Sequence, residues 1–142
     1  MLTSAQARTI LDAALGEARA KAMKPLAVAV IDARGALLAF AAEDGASLKR
    51  EQVARGKADG AMALGVPSRS IGKMAAERPH FVAAVTHAVG GSLVPVPGGV
   101  LVRDGAGVLL GAVGVSGDTS DNDEIAAVAG IAAAGLQADV GA

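Results

Sequence analysis

The sequence predicts an α/β (α+β) domain, an antiparallel sheet of about five strands with helices on both faces. Three observations carry this. Paired apolar runs joined by a turn signal occur twice, at Leu26–Ala42 around Asp32-Ala33-Arg34-Gly35 and at Val100–Val115 around Asp104-Gly105-Ala106-Gly107. Such pairs read as hairpins. These runs show little polar alternation, as expected of strands covered on both sides. The segments before, between and after them carry apolar residues at helical spacing, with capping signals at their ends.

Taken in order, residues 3–23 form a helix. Thr3 with Gln6 fits a capping box, in which each side chain satisfies one orphan N–H. Ala7, Ile10, Leu11, Ala14, Leu15, Ala18 and Ala22 share one face, and Pro25 stops the helix. The first hairpin follows, then a loop at Glu43–Ala46. Ser47 is expected to cap a helix over 48–64, whose Ala54, Ala58, Ala61 and Met62 make a small-residue face. Lys57 lies beside that face, and Gly65 supplies the left-handed ending. A short helix restarts at Pro67-Ser68 and runs through Met74. Arg78-Pro79 breaks it, and Phe81–Val85 is a short apolar segment, helical or irregular. Thr86–Gly91 reads as a loop. Leu93–Val96 reads as a short strand, placed at a sheet edge by Pro95. After the second hairpin, a helix over about 121–138 is expected to start on an Asp121/Glu124 capping box. Its inner stripe would be Ile125, Val128, Ala129, Ala132 and Leu136.

The 142 residues make a single domain, 1–142, with no internal repeat or linker. At 52% hydrophobic and 19% charged, the chain can fill a core. With two Phe and no Trp or Tyr, that core must be aliphatic. The absence of cysteine excludes disulfides, thiolate metal sites and cysteine nucleophiles. No apolar stretch is long enough to span a membrane and no leader pattern opens the chain, so the expectation is a cytoplasmic protein.

The net charge of −1 hides an asymmetry. Residues 47–80 hold seven Lys/Arg against three acids, whereas residues 104–142 hold six acids and no Lys or Arg. Two solvated faces are one reading. The other is a basic surface that meets an acidic helix of a neighbouring subunit or attracts an anion. With the small-residue faces, this gives the expectation of a homodimer or larger closed oligomer. Nucleic acid is not expected, because aromatics for base stacking are lacking and the basic stretch is modest.

Residues able to do chemistry are few. Ser116 lies in VSGDT rather than G-x-S-x-G, so no hydrolytic triad is indicated, and no Gly-rich piece has Walker spacing. Asp121-Asn122-Asp123-Glu124 lacks EF-hand spacing and reads as helix capping. His80 reads as a packing or surface residue. His87 precedes Gly90-Gly91, where backbone can approach a flat ligand. Met62 and Met74 read as core filler.

Several pieces match one family pattern in order: EDGAS at 43–47, GKADGAMALG at 56–65, THAVGG at 86–91, GGVLVRDGAGVLLGAVGVSG at 98–117 and DNDEIAAVAG at 121–130. In these the chain resembles the GlcG/HbpS-like family, also known as the haem-degrading domain family and as the C-terminal domain of PduO proteins. The likeness covers nearly the whole chain. GAVGVSG followed by the D–E pair is its most specific part. Leu101 stands where family members often have Pro, and Asp118 where a second Gly or similar small residue is usual.

The resemblance implies a profilin-like sandwich that forms dimers and higher oligomers, and haem or a related tetrapyrrole as ligand in some members. Two functions follow as expectations. The first is a haem-binding protein, possessing slow haem-degrading activity if the iron performs it. The second is a small-molecule enzyme or accessory protein acting on carboxylate intermediates of a catabolic pathway. In that case Lys57 would bind the anion or act as acid/base, with Asp44 or His87 as its partner. The ligand site is expected where the 43–46 loop, the helix bearing Arg55 and Lys57, and the glycines Gly90, Gly91, Gly98 and Gly99 converge. There His87 would bind haem iron, and Lys57 or Arg55 would meet the propionates.

Overall fold

Thr3 opens the first helix as the spacing predicts. Its hydroxyl accepts the Gln6 N–H at 3.1 Å while the Gln6 side chain accepts the Thr3 N–H at 3.0 Å. The computed structural model describes residues 1–141, Ala142 alone lying outside. It places α1 at Ser4–Ala20, β1 at Ala27–Asp32, β2 at Leu37–Ala42, α2 at Arg50–Leu64, α3 at Ser68–Glu77 and α4 at Pro79–Ala88. The second hairpin, β3 (Gly99–Arg103) and β4 (Leu109–Ser116), is followed by α5 (Ser120–Ala133) and β5 (Gln137–Asp139).

The five strands form one antiparallel sheet in the order β2-β1-β4-β3-β5. Side-chain alternation along the central strands sorts the core into two layers. Val28, Val30, Val100, Val102, Val113 and Val115 pack with Ile10 and Ala14 of α1 and with Ala126, Ala127 and Ile131 of α5. Ile31, Leu101 and Ala112 face the other way, onto Ala58 and Ala61 of α2. A third cluster of Ile71, Val82 and Leu93 ties α3, α4 and the loop before β3 together. Helices thus cover both sheet faces, in the profilin-like arrangement.

Several boundaries differ from the sequence expectation. α2 begins at Arg50 and Ser47 does not cap it, because the Ser47 hydroxyl accepts from Arg50 Nε instead. Arg78-Pro79 breaks one helix but starts the next. Proline's missing N–H costs nothing in a first turn, so α4 runs unbroken through Thr86-His87-Ala88. No strand forms at Leu93–Val96. Leu93 is buried there, and the Val94 N–H donates to Gly56 O of α2. The sheet edges lie elsewhere, at β2 and β5; the middle residues of β2 are half-buried where β1 is fully buried.

α5 is capped by Thr119, whose side chain accepts the Asn122 N–H at 3.2 Å, and not by Asp121. Its buried stripe is Asp123, Ala126, Ala127, Gly130 and Ile131, rotated away from the expected Ile125. Between Asp123 and Ile131 this face carries only alanine and glycine, because α1 lies so close. A Cβ at Gly130 would sit 3.2 Å from that of Ala14 and overlap the Ile10 carbonyl. β5, which begins within the stretch read as the end of this helix, pairs with β3 and is tied to it by Arg103 Nε on Asp139 Oδ2 at 2.9 Å.

Candidate functional site

The inward face of α2 repeats at Ala54, Lys57/Ala58 and Ala61, so the helical period that buries three alanines also carries Lys57 inward. α2 lies directly on β4, since a Cβ at Gly114 would overlap the backbone of Ala54 and Ala58. Lys57 is 2% exposed. Its Nζ donates to Val115 O at 2.9 Å and to Asp123 Oδ2 at 3.0 Å. The other carboxylate oxygen of Asp123 accepts the Asp118 N–H at 2.9 Å. One buried ion pair therefore joins α2, the end of β4 and the first turn of α5. Burial pushes the Lys57 ammonium below its ordinary pKa, opposed by the Asp123 charge. Burial pushes the Asp123 carboxyl up, opposed by Lys57.

The surroundings complete this polar core. Gly98 holds φ +125°, a region open to glycine alone in practice, and a Cβ there would lie 2.8 Å from Lys57 Nζ and 2.7 Å from Val115 O. Ser68, fully buried, accepts the Gly99 N–H at 2.7 Å, and Arg50 Nη1 donates to Ser116 Oγ at 3.1 Å. Asp118 accepts from Lys24 N, Thr119 N and Asn122 Nδ2, each at 2.8 Å. These donors, the Lys24 N–H foremost, hold its carboxyl down to about 2.

The structure brings together some of the residues singled out in the sequence and separates others. Gly98 and Gly99 do converge on Lys57, as its packing partners. Arg55, two residues from Lys57 on α2, points elsewhere. It lines a cleft of about 340 Å³ with Glu51, Gln52, Gly91 and Ser92. Its Nε donates to Asp59 at 3.1 Å, and Asp59 also accepts from Ser92 Oγ at 2.8 Å. Asp44 is exposed and borders a different depression, beside Arg19 and Pro25. His87 sits in the last turn of α4, exposed, as is His80 two turns earlier. Among the described residues neither imidazole ring takes a hydrogen bond or an ion pair.

Gly90 and Gly91 end α4. The Gly91 N–H reaches Thr86 O at 2.8 Å and the Gly90 N–H reaches His87 O at 3.1 Å, the bond pair of a Schellman ending. Nothing lies within 4 Å of where a Cβ would stand on either glycine. The space beside His87 is therefore open.

Sequence reasoning missed Asp123 as the partner of Lys57, and Ser68 as the anchor of Gly99. A signal existed for the first: a lysine on an alanine stripe needs a buried carboxylate, and Asp123 stands on the small-residue stripe of α5. The basic and acidic segments also meet within the chain. Arg69 pairs with Asp121 at 2.6 Å and Glu124 at 3.0 Å, so part of the charge asymmetry is satisfied internally.

Comparison with solved structures returns the same architecture. The PduOC:heme complex superposes with a TM-score of 0.85 at 23% identity, covering 97% of this chain and 98% of that one. HbpS gives 0.79 at 29%, covering 92% and 88%. The Klebsiella pneumoniae protein ORFY gives 0.83 at 22%, covering 94% and 90%. No curated protein matches the chain in sequence. The model of the family described as haem degrading protein HbpS-like matches residues 2–132, nearly the full length, and the chain belongs to that family.

Proposed function

We propose that this protein binds haem or a related tetrapyrrole, and that the outer face of α4 with the adjoining Arg55 cleft is where it does so. Membership of the HbpS-like family carries the reading. The likeness in fold to a protein crystallised with haem agrees with it.

The donor set fits the group. Imidazole is an ordinary haem-iron ligand, and no cysteine or tyrosine competes with it in this chain. His87 offers an exposed ring with no internal partner, and the turn after it leaves open space. Ala83, Ala84 and Ala88 add small side chains, and Phe81 on the same helix and Val89 just after it add partly exposed apolar surface. Gly91 lines the cleft that Arg55 also lines, which sets a guanidinium near enough to this end of α4 to meet an anionic substituent. Bound haem would supply its own redox chemistry. The chain's part is to present the imidazole, exclude some water and balance the propionate charge.

This reading gives Lys57 no share, because its ammonium donates inside the chain to Val115 O and Asp123. Titration with haemin, followed by visible absorption, tests the proposal. A saturable Soret shift near one haem per chain supports it, and featureless, unsaturating absorbance overturns it.

A further inference from the structure

Pro79 opens α4 but has no N–H to donate back to α3. The residue before it, Arg78, is non-helical at φ −138° and ψ 69°; it ends α3 and precedes α4, and no side chain caps the new helix. At the other end Gly90 and Gly91 hold φ +93° and +97°, with nothing within 4 Å of a Cβ on either. A ten-residue helix is thus bounded by a bend at one end and two unpacked glycines at the other.

Little holds that helix down. Val82 is its one buried residue, packed with Ile71 of α3 and with Leu93, and Val85 lies half-buried beside them. Thr86 Oγ1 donates to Val82 O, and the Phe81 and Val82 N–H groups donate to Arg78 O. Among the described residues, no hydrogen bond donated from 79–88 reaches another element. The strap that follows, residues 92–96, is anchored by contrast. Val94 N donates to Gly56 O at 3.1 Å and Ser92 Oγ to Asp59 Oδ2 at 2.8 Å. Leu93, Val94 and Pro95 also fill the places where side chains would stand on Gly60, Gly56 and Gly72. The anchored and the lightly held parts meet at Gly90–Gly91.

We propose that α4 is a hinged lid, which lifts from the body between Arg78 and Gly90–Gly91 and bares Ile71, Leu93 and Met74. Segments with few buried apolar contacts and no bonds to their neighbours open at free energies well below that of global unfolding. The hinge divides the site proposed above: His87 rides on α4, whereas Arg55 is fixed on α2. A ligand that touches both binds the closed lid better than the open one and so holds it shut, because a ligand shifts an equilibrium only by its differential affinity. This second step rests on the haem reading; the lid itself does not.

The chain has no cysteine, so single thiols report the opening. Val82→Cys and Val113→Cys place matched probes, at positions 5% and 0% exposed, under the lid and in the sheet core. Val82→Cys should react with a thiol reagent roughly a hundredfold faster, at a rate nearly independent of low urea, whereas Val113→Cys waits for urea-sensitive global unfolding. In the parent protein the amides of 79–88 should share one low opening free energy in hydrogen exchange. Equal and equally urea-sensitive labelling of the two thiols, or protection of 79–88 equal to that of β4, would overturn the lid. If either variant fails to fold, exchange in the parent still decides. Haemin at about ten times its dissociation constant should slow exchange across 79–88 about tenfold, if it binds only the closed form. A Soret shift without that slowing overturns the clamp and leaves haem binding intact. Absence of any Soret shift removes both the haem reading and the clamp, while exchange without haemin still decides the lid.

Discussion

Lys57 Nζ lies 3.0 Å from Asp123 Oδ2 with both side chains 2% exposed, in a core otherwise built of apolar, non-aromatic side chains. Two charges are withdrawn from water there, and their mutual attraction, with Val115 O and the Asp118 N–H, must offset the desolvation. Such a pair contributes less to stability than to geometry. It fixes how the end of β4, α2 and the start of α5 sit on one another.

Removing one partner should therefore be far worse than removing both. Lys57→Met leaves an unpaired carboxylate and should cost about 3–5 kcal/mol. Lys57→Met with Asp123→Leu should recover more than half of that loss in urea denaturation. The single variant carries a pH signature. Burial already raises the Asp123 pKa, and loss of Lys57 removes the charge that opposes the rise. A group whose folded pKa is raised stabilises below that pKa and loses the contribution as pH rises. The deficit of Lys57→Met should shrink from pH 8 to pH 5, and a pH-independent deficit would contradict this account.

Gly98 and Gly90 both hold positive φ but should respond differently to alanine. At Gly98 (φ +125°) the new Cβ meets Val115 O and Lys57 Nζ within 2.8 Å, so strain and displacement of the ion pair add together. At Gly90 (φ +93°) the Cβ enters open space and only the backbone term remains. The expected losses are roughly 2 kcal/mol or more for Gly98→Ala and about 1 kcal/mol for Gly90→Ala. Equal losses would mean that the packing around Lys57 yields more easily than the distances indicate.

Asp118 gives the fold an acid dependence. Its carboxyl is held down to about 2 from 3.8 by three donors, two of them backbone N–H groups. A depressed carboxylate stabilises above its unfolded pKa and loses that contribution as pH falls through the folded value. Stability should fall between about pH 4 and pH 2. Asp118→Asn should be less stable at pH 7 and flatter across that window in thermal melts. Parallel curves for the two proteins would rule Asp118 out as the source.

Much of the architecture was legible because it rests on local signals. The Thr3/Gln6 box, the Asp32–Gly35 turn and the second hairpin were each read from a few neighbouring residues and were found in place. What escaped was decided by packing. The apolar period of α5 fits either of two faces, and the closeness of α1 selected the small-residue one. β5 has three residues and no apolar alternation, and it exists because β3 offers it an edge. The fate of Lys57 depended on Asp123, sixty-six positions away, a distance no periodicity reports. His87 was identified as a residue of interest, but its place on a helix depended on Pro79 starting α4 and not only ending α3.

That placement separates the two histidines experimentally. Both rings are exposed on α4, but only His87 stands beside the open Gly90–Gly91 turn, near the cleft that Arg55 lines. If haem is bound there, His87→Ala should displace the Soret band and weaken binding at least tenfold, the loss of one charge-assisted or coordinating contact of roughly 1.5–3 kcal/mol. Arg55→Gln should weaken binding by a smaller factor and leave the band position unchanged, because a propionate contact does not touch the iron. His80→Ala should alter neither. Lys57 provides the control for fold: the Lys57→Met, Asp123→Leu protein should bind haem as the parent does. A band that moves with His80→Ala and not with His87→Ala would relocate the iron ligand to the start of α4. Binding lost in the Lys57 double variant at undiminished stability would place the ligand against the buried pair and not on the outer helix.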